Sequence, residues 1–177
     1  MTIKYIILVN KQGCTRLARY ADASLSPSAR AALEGEIVRK CLARSDKLVS
    51  REGEGRGRER GAGARAMRPS PSPPFLPPQC SFVDHGDHRV VYRRYASLFF
   101  LVGVDAAENE LAALEFIHAL VEALDRHFGA VCELDIMFNL ETVHYVLDEM
   151  VSGGCVVDGC RANVLAPVQL LERSAPL

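Results

Sequence analysis

The chain opens on an apolar run, Ile3 to Asn10 (IKYIILVN), of strand length and β-rich composition. Asn10-Lys11-Gln12-Gly13 supplies turn chemistry, and Thr15 to Tyr20 reads as a second strand, closing a hairpin. Ser26-Pro27 offers an N-cap and a first-turn proline. Leu33, Ile37, Val38, Cys41 and Leu42 then recur at helical spacing, which predicts a helix to about Arg44. Cys80 to Asp84, Val90 to Tyr95 and Ala96 to Val104 are three further β-type segments, the first two joined by a turn through His85-Gly86-Asp87. Polar Asp105 to Asn109 precede Leu111, Leu114, Ile117, Val121, Leu124 and Phe128, one face of a helix that Gly129 stops. Leu140, Val143, Leu147 and Met150 mark another helix, ended by Gly153-Gly154, and a last short helix covers about Val164 to Leu171. The order ββαβββααα predicts an α+β fold, an antiparallel sheet of about five strands with helices packed on it.

Residues 47–79 fit neither period. They hold six of the nine prolines, five glycines and six arginines, with almost no large apolar side chain before Phe75. Such a stretch buries too little surface to offset its ordering entropy, so a disordered Arg/Gly/Pro-rich insertion is expected within a single domain spanning residues 1–177. Arg56-Gly57-Arg58 faintly resembles arginine-glycine RNA-binding segments, and Pro71 to Pro78 has the composition of a polyproline II ligand. A translated non-coding insert accounts for the same composition.

Charge changes the picture only locally: the chain is −1 overall, but the insertion carries +4 and leaves the other 144 residues at −5. That balance gives no general reason to expect nucleic acid as a partner. The six cysteines form no CxxC pair and no signal peptide precedes Ile3, so reduced thiols in a cytosolic protein are expected. The longest strongly apolar run, around Leu98 to Val104, is of strand length, so any membrane association is expected to be peripheral.

Catalytic signatures are missing from the sequence: there is no GxSxG, GxxxxGK[ST] or HExxH. Cys155, Cys160 and His144 lack the spacing and fourth ligand of a tetrahedral metal site. Neither an enzyme, a metal nor a cofactor is therefore expected. Arg89, Arg93 and Arg94 beside Tyr92 and Tyr95 are more suggestive, because arginine next to tyrosine serves carboxylate, phosphate or partner recognition; an ordinary solvated strand face is the competing reading. Glu133-Leu134-Asp135 reads as an acidic helix N-terminus.

Four strings together resemble the sigma subunits of clathrin-type heterotetrameric adaptor complexes: LVNKQGCTRLARY (Leu8 to Tyr20), VVYRRYASLFFLVGVD (Val90 to Asp105), ENELAALEFIHALVEALDRHFG (Glu108 to Gly129) and VCELDIMFNLETVHYVLDEMVSGG (Val131 to Gly154). LEGEIVRKCLAR (Leu33 to Arg44) and NVLAPVQLLE (Asn163 to Glu172) look most like the small subunit of the fourth adaptor complex. The resemblance implies a longin-like fold, a five-stranded antiparallel sheet flanked by helices. It implies a heterotetramer with two large chains and one medium chain, acting in vesicle-mediated protein transport at trans-Golgi network membranes. It also implies a groove for acidic dileucine sorting signals, in which Arg16 meets the acid and Ala96, Leu98, Val121, Val131 and Ile136 line the leucine pockets. Ala130 departs from the polar residue found there in the endocytic member. Another longin-like trafficking module, a tethering-complex or fusion-regulating subunit, is the alternative, and an RNA-associated protein acting through the Arg/Gly segment a more distant one.

Overall fold

The computed structural model describes residues 1–54 and 80–174, with side chains described over 1–43 and 82–174. The elements follow in the order β1 (Ile3–Asn10), β2 (Thr15–Tyr20), α1 (Pro27–Glu54), β3 (Cys80–His85), β4 (His88–Tyr95), β5 (Leu98–Asp105), α2 (Glu110–Phe128), α3 (Glu133–Phe138), α4 (Leu140–Met150), β6 (Val151–Ser152), β7 (Cys155–Val156) and α5 (Arg161–Ser174). The first five strands form one antiparallel sheet in the order β2-β1-β5-β4-β3. This is the α+β, five-stranded architecture the pattern predicts.

Strand alternation divides the core in two. Leu8, Val91, Leu98, Phe100, Val102 and Val104 face α2, α4 and α5, while Tyr5, Ile7, Val9, Val90, Phe99 and Leu101 face α1. Strands β1 and β5 are covered on both faces, which is why they read as nearly unbroken apolar runs rather than as alternating ones. A bulge between Ile3 and Tyr5 inserts Lys4, so Ile3 and Ile6 share the α2 side, and Lys4 reaches Asp87 and Asp105 at 3.0 and 3.1 Å.

Helix α1 starts as expected, with Ser26 Oγ accepting from the Ala29 amide, but it overruns the expected end near Arg44 and continues to Glu54. No glycine or proline lies between Gly35 and Gly53 to end it. Its last turns thus take the first part of the stretch read as an insertion, and residues 55–79 of that stretch lie outside the described residues. Ala96 is not the first residue of β5; it occupies a tight β4–β5 turn with φ +50°. Leu111 leaves the expected buried face of α2 and is 66% exposed, because the buried stripe centres on Ile117, Leu120 and Leu124. Two elements are additional to the expected order: the six-residue α3, and the β6–β7 ribbon, whose Gly154 carbonyl accepts from the Ile3 amide at 2.6 Å. The last helix starts three residues earlier and ends three later than expected.

Candidate functional site

At the end of the sheet where β1 finishes, four segments converge: the β1–β2 turn, the β4–β5 turn, the end of α2 and the start of α3. The sequence of β2 aims the central side chain. Leu8 pairs with Leu17 but Val9 pairs with Thr15, so Arg16 is the extra residue of a β-bulge. A bulge re-directs its side chain, and here Arg16 reaches Glu133, the first residue of α3. Arg16 Nε donates to Glu133 Oε1 at 2.9 Å and Arg16 Nη2 lies 2.9 Å from the same oxygen.

Asn10, buried at the end of β1, completes the arrangement. Its Oδ1 accepts from the Gln12 and Cys14 amides, which fixes the turn, and its Nδ2 donates to Glu133 Oε1 at 3.2 Å. Partial desolvation pushes the Glu133 carboxyl up, but the hydrogen bonds from Arg16, Asn10 and Ser97 and the Arg16 charge together hold it below the ordinary glutamate value. A lowered folded-state value means that this contribution to stability is fully present above the ordinary glutamate range and is lost as pH falls through the folded value. Glu133→Gln is therefore expected to be less stable than the unmodified chain at about pH 7, with the gap closing as pH falls below the ordinary glutamate range. Denaturant titrations at several pH values measure it, and a pH-independent gap would contradict the charge assignment.

The five apolar positions fall into three groups. Leu98 and Ile136 are core residues, at 5% and 0% exposure. Val121 on α2 and Val131 before α3 are half-buried and pack against the same core cluster. Ala96 sits exposed in the β4–β5 turn. Leu98, Val121, Val131 and Ile136 thus share one cluster, with Leu98 and Ile136 as its floor and Val121 and Val131 at its surface. Arg16 is tied to Glu133, the first residue of α3. Among the described residues, the non-glycine residues at positive φ are Ala96 (+50°), in the β4–β5 turn, and Ala130 (+67°), next in sequence to Val131. Left-handed backbone at non-glycine residues costs on the order of 1 kcal/mol or more and tends to cluster at functional sites.

Residue spacing did not reveal Glu133 as the partner of Arg16, since 117 residues separate the two; the only signal was the acidic Glu133-Leu134-Asp135 string. The arginine cluster of β4 is divided by the fold. Arg89 pairs with Asp84 and Glu110. Arg94 donates to the Ala96 carbonyl and lies over the Phe99 ring. Arg93 stacks on the Tyr95 ring at 5.1 Å. His118 approaches Tyr95 Oη at 3.3 Å and His127 pairs with Glu172 at 3.0 Å.

Beside this end of the sheet, α3 and the first residue of α4 expose Leu134, Met137, Phe138 and Leu140, of which Phe138 is 79% exposed. A separate cleft of about 110 Å³ lies between the hairpin and the β6–β7 ribbon; its Arg19 is committed to Asp148 and to the Val151 carbonyl. No group of three or more His, Cys, Asp or Glu able to hold a metal occurs among the described residues.

The family model described as clathrin adaptor complex small chain matches residues 2–175. The AP-4 complex subunit sigma of Arabidopsis thaliana is 52% identical over 174 residues, taking in 98% of this chain and 99% of the relative. The AP-4 complex subunit sigma-1 of Homo sapiens is 42% identical over 171 residues, 97% of this chain and 96% of the relative. Among structures, a chain of a homology model of the full-length AP-3 complex in a stretched open conformation superposes with a TM-score of 0.59 at 27% identity, covering 97% of this chain and 94% of that one.

Proposed function

The chain belongs to the clathrin adaptor complex small chain family, and from that premise we propose that it is the small (sigma) subunit of an AP-4-type adaptor complex in vesicle-mediated protein transport. The observation that carries this reading is the end-to-end match to AP-4 sigma subunits, at 52% and 42% identity in a plant and a mammal, against 27% for the chain of the AP-3 assembly. Its partners are two large chains and one medium chain. Its work is assembly and recognition rather than bond-making chemistry. Exposed Leu134, Met137, Phe138 and Leu140 support stable burial against a large partner, since obligate interfaces are large and apolar. No helix among the described residues is long and apolar enough to cross a membrane. Membrane contact therefore comes peripherally through the assembled complex, at the trans-Golgi network.

Within that role, the surface bordered by Ala96, Val121 and Val131, floored by Leu98 and Ile136 and flanked by Arg16, is a groove for an acidic dileucine sorting signal. Each buried leucine is worth roughly 1.5–3 kcal/mol. Residues 1–177 form one domain, and residues 47–79 are an insertion within it that extends α1 at its start.

Co-expression with the other three subunits of the AP-4-type complex tests the assignment. The chain is expected to purify in a stoichiometric tetramer, and deletion of residues 47–79 is expected to leave the stoichiometry unchanged. Failure of both forms to assemble would remove the assignment. Assembly of the deleted form alone would keep it but make the insertion incompatible with the complex.

A further inference from the structure

We propose that His85 is a pH-sensitive latch, which fastens α1 to the β3–β4 edge of the sheet when its ring is neutral and releases it when the ring is protonated. Strand β3 lies at the edge of the sheet, and His85 is its last residue, paired across the β3–β4 turn with His88. The His85 side chain is 13% exposed and meets two residues of α1, tying positions 45 residues apart in sequence. Its Nδ1 lies 3.2 Å from Lys40 Nζ and 3.6 Å from Glu36 Oε1, while Lys40 and Glu36 are themselves paired at 2.7 Å.

An ammonium group carries donors and no acceptor, so the Lys40–His85 hydrogen bond requires a bare Nδ1 and assigns the imidazole proton to Nε2. A second proton ends that arrangement. It places an N–H on Nδ1 and sets two cations at hydrogen-bond distance from each other. Glu36 faces the same nitrogen from farther away and already holds Lys40, so it offsets only part of the repulsion. From the sheet side, the His88 ring stands 5.1 Å from the His85 ring, and Asp87 of the turn is engaged with His88 and Lys4. Burial against α1 is the largest influence on His85; with the Lys40 and His88 charges it outweighs Glu36 and Asp87 and holds the imidazole below the ordinary histidine value. A lowered folded-state value gives a contribution that is complete above the ordinary histidine range and is lost as pH falls through the folded value. Next to the latch, Ile37, Val38 and Cys41 of α1 pack in one cluster with Val83 and Val90. Opening it therefore admits water to the border of that cluster, while β1 and β5, at the centre of the sheet, stay covered.

Hydrogen exchange of the full chain tests this, with rates expressed as protection factors at about pH 7.5 and about pH 5, either side of the ordinary histidine value. Protection of the amides of residues 36–42 is expected to fall about tenfold at the lower pH, the worth of one hydrogen bond to a charged group, while β1 and β5 keep theirs. His85→Asn offers Lys40 a carbonyl oxygen that does not titrate, and is expected to hold the α1 protection level across the same range. Lys40→Met removes both the donor and the repelling cation; it is expected to lower α1 protection at the higher pH and to flatten its pH dependence. A fall in α1 protection that persists in His85→Asn or in Lys40→Met overturns the proposal, as does an unmodified chain whose α1 protection does not change with pH. If His85→Asn does not fold, the Lys40→Met arm and the ring nitrogen shifts of His85 decide: a proton on Nδ1 at about pH 7.5 also overturns it.

Discussion

Gly103→Ala will lower stability by about 1–3 kcal/mol or more through overpacking alone, even though it adds one methyl group to a strand. Gly103 pairs directly with Tyr5 across β1 and β5, and a Cβ built on it overlaps Cζ, Cε1 and Cε2 of the Tyr5 ring. The ring cannot simply move aside. Tyr5 is buried, its Oη is hydrogen-bonded to His88 Nε2 at 2.8 Å, His88 Nδ1 lies 2.8 Å from Asp87 Oδ1, and Asp87 is paired with Lys4. Desolvation drives the Tyr5 phenol far above its ordinary titration range, so it remains a neutral hydrogen-bonding group across the accessible pH range. Displacing the ring would also disrupt a buried hydrogen bond, worth about 1 kcal/mol net. A total near 3 kcal/mol corresponds to a midpoint about 6–12 °C lower for a chain of this size. Combining Gly103→Ala with Tyr5→Leu is expected to cost less than the sum of the two single changes, because the leucine vacates the ring's position. Thermal unfolding of the four proteins measures this, and a Gly103→Ala midpoint equal to that of the unmodified chain would show that the close approach does not exist.

Gly103 also illustrates what the sequence made legible. A glycine inside an apolar strand run signals close backbone approach, but its partner, Tyr5, lies 98 residues away and depends on the β1–β5 register. The five strands, α2, α4 and α5 were readable because apolar period and turn residues are local. Helix α3 showed only its acidic N-terminus, Glu133-Leu134-Asp135, since six residues contain less than two turns of periodicity. The β6–β7 ribbon has two residues per strand, and only the Gly153-Gly154 turn announces it. Helix α1 overran its expected end because the signal used to close it, the change in composition at Lys47, is not a helix stop. The site was legible in the same uneven way. Leu98, Val121, Val131 and Ile136 do gather on one cluster, yet their division into floor and surface depends on burial. The aim of Arg16 depends on a bulge, and the difference between Arg93 and Arg94 follows from which face each strand position meets.

That division into floor and surface separates substitutions that damage the domain from those that report on the groove. Ile136→Ala removes a fully buried side chain and is expected to cost about 2–5 kcal/mol, lowering the midpoint by about 10 °C; weaker peptide binding by that variant would then reflect loss of the fold as much as loss of a pocket. Val121→Asp places its carboxylate at the half-buried edge of the cluster, where solvent remains within reach, and is expected to cost about 1–2 kcal/mol. Its effect on binding should be larger than its effect on stability. In the groove proposed above, a charge at Val121 would forfeit the burial of one leucine, roughly 1.5–3 kcal/mol, so a dileucine peptide should bind the assembled complex about 10- to 100-fold more weakly. Measuring unfolding and peptide affinity for both variants gives two ratios. A Val121→Asp complex that binds the peptide as tightly as the unmodified one would remove the groove, whereas an Ile136→Ala chain of unchanged stability would mean that Ile136 belongs to the groove's surface rather than to its floor.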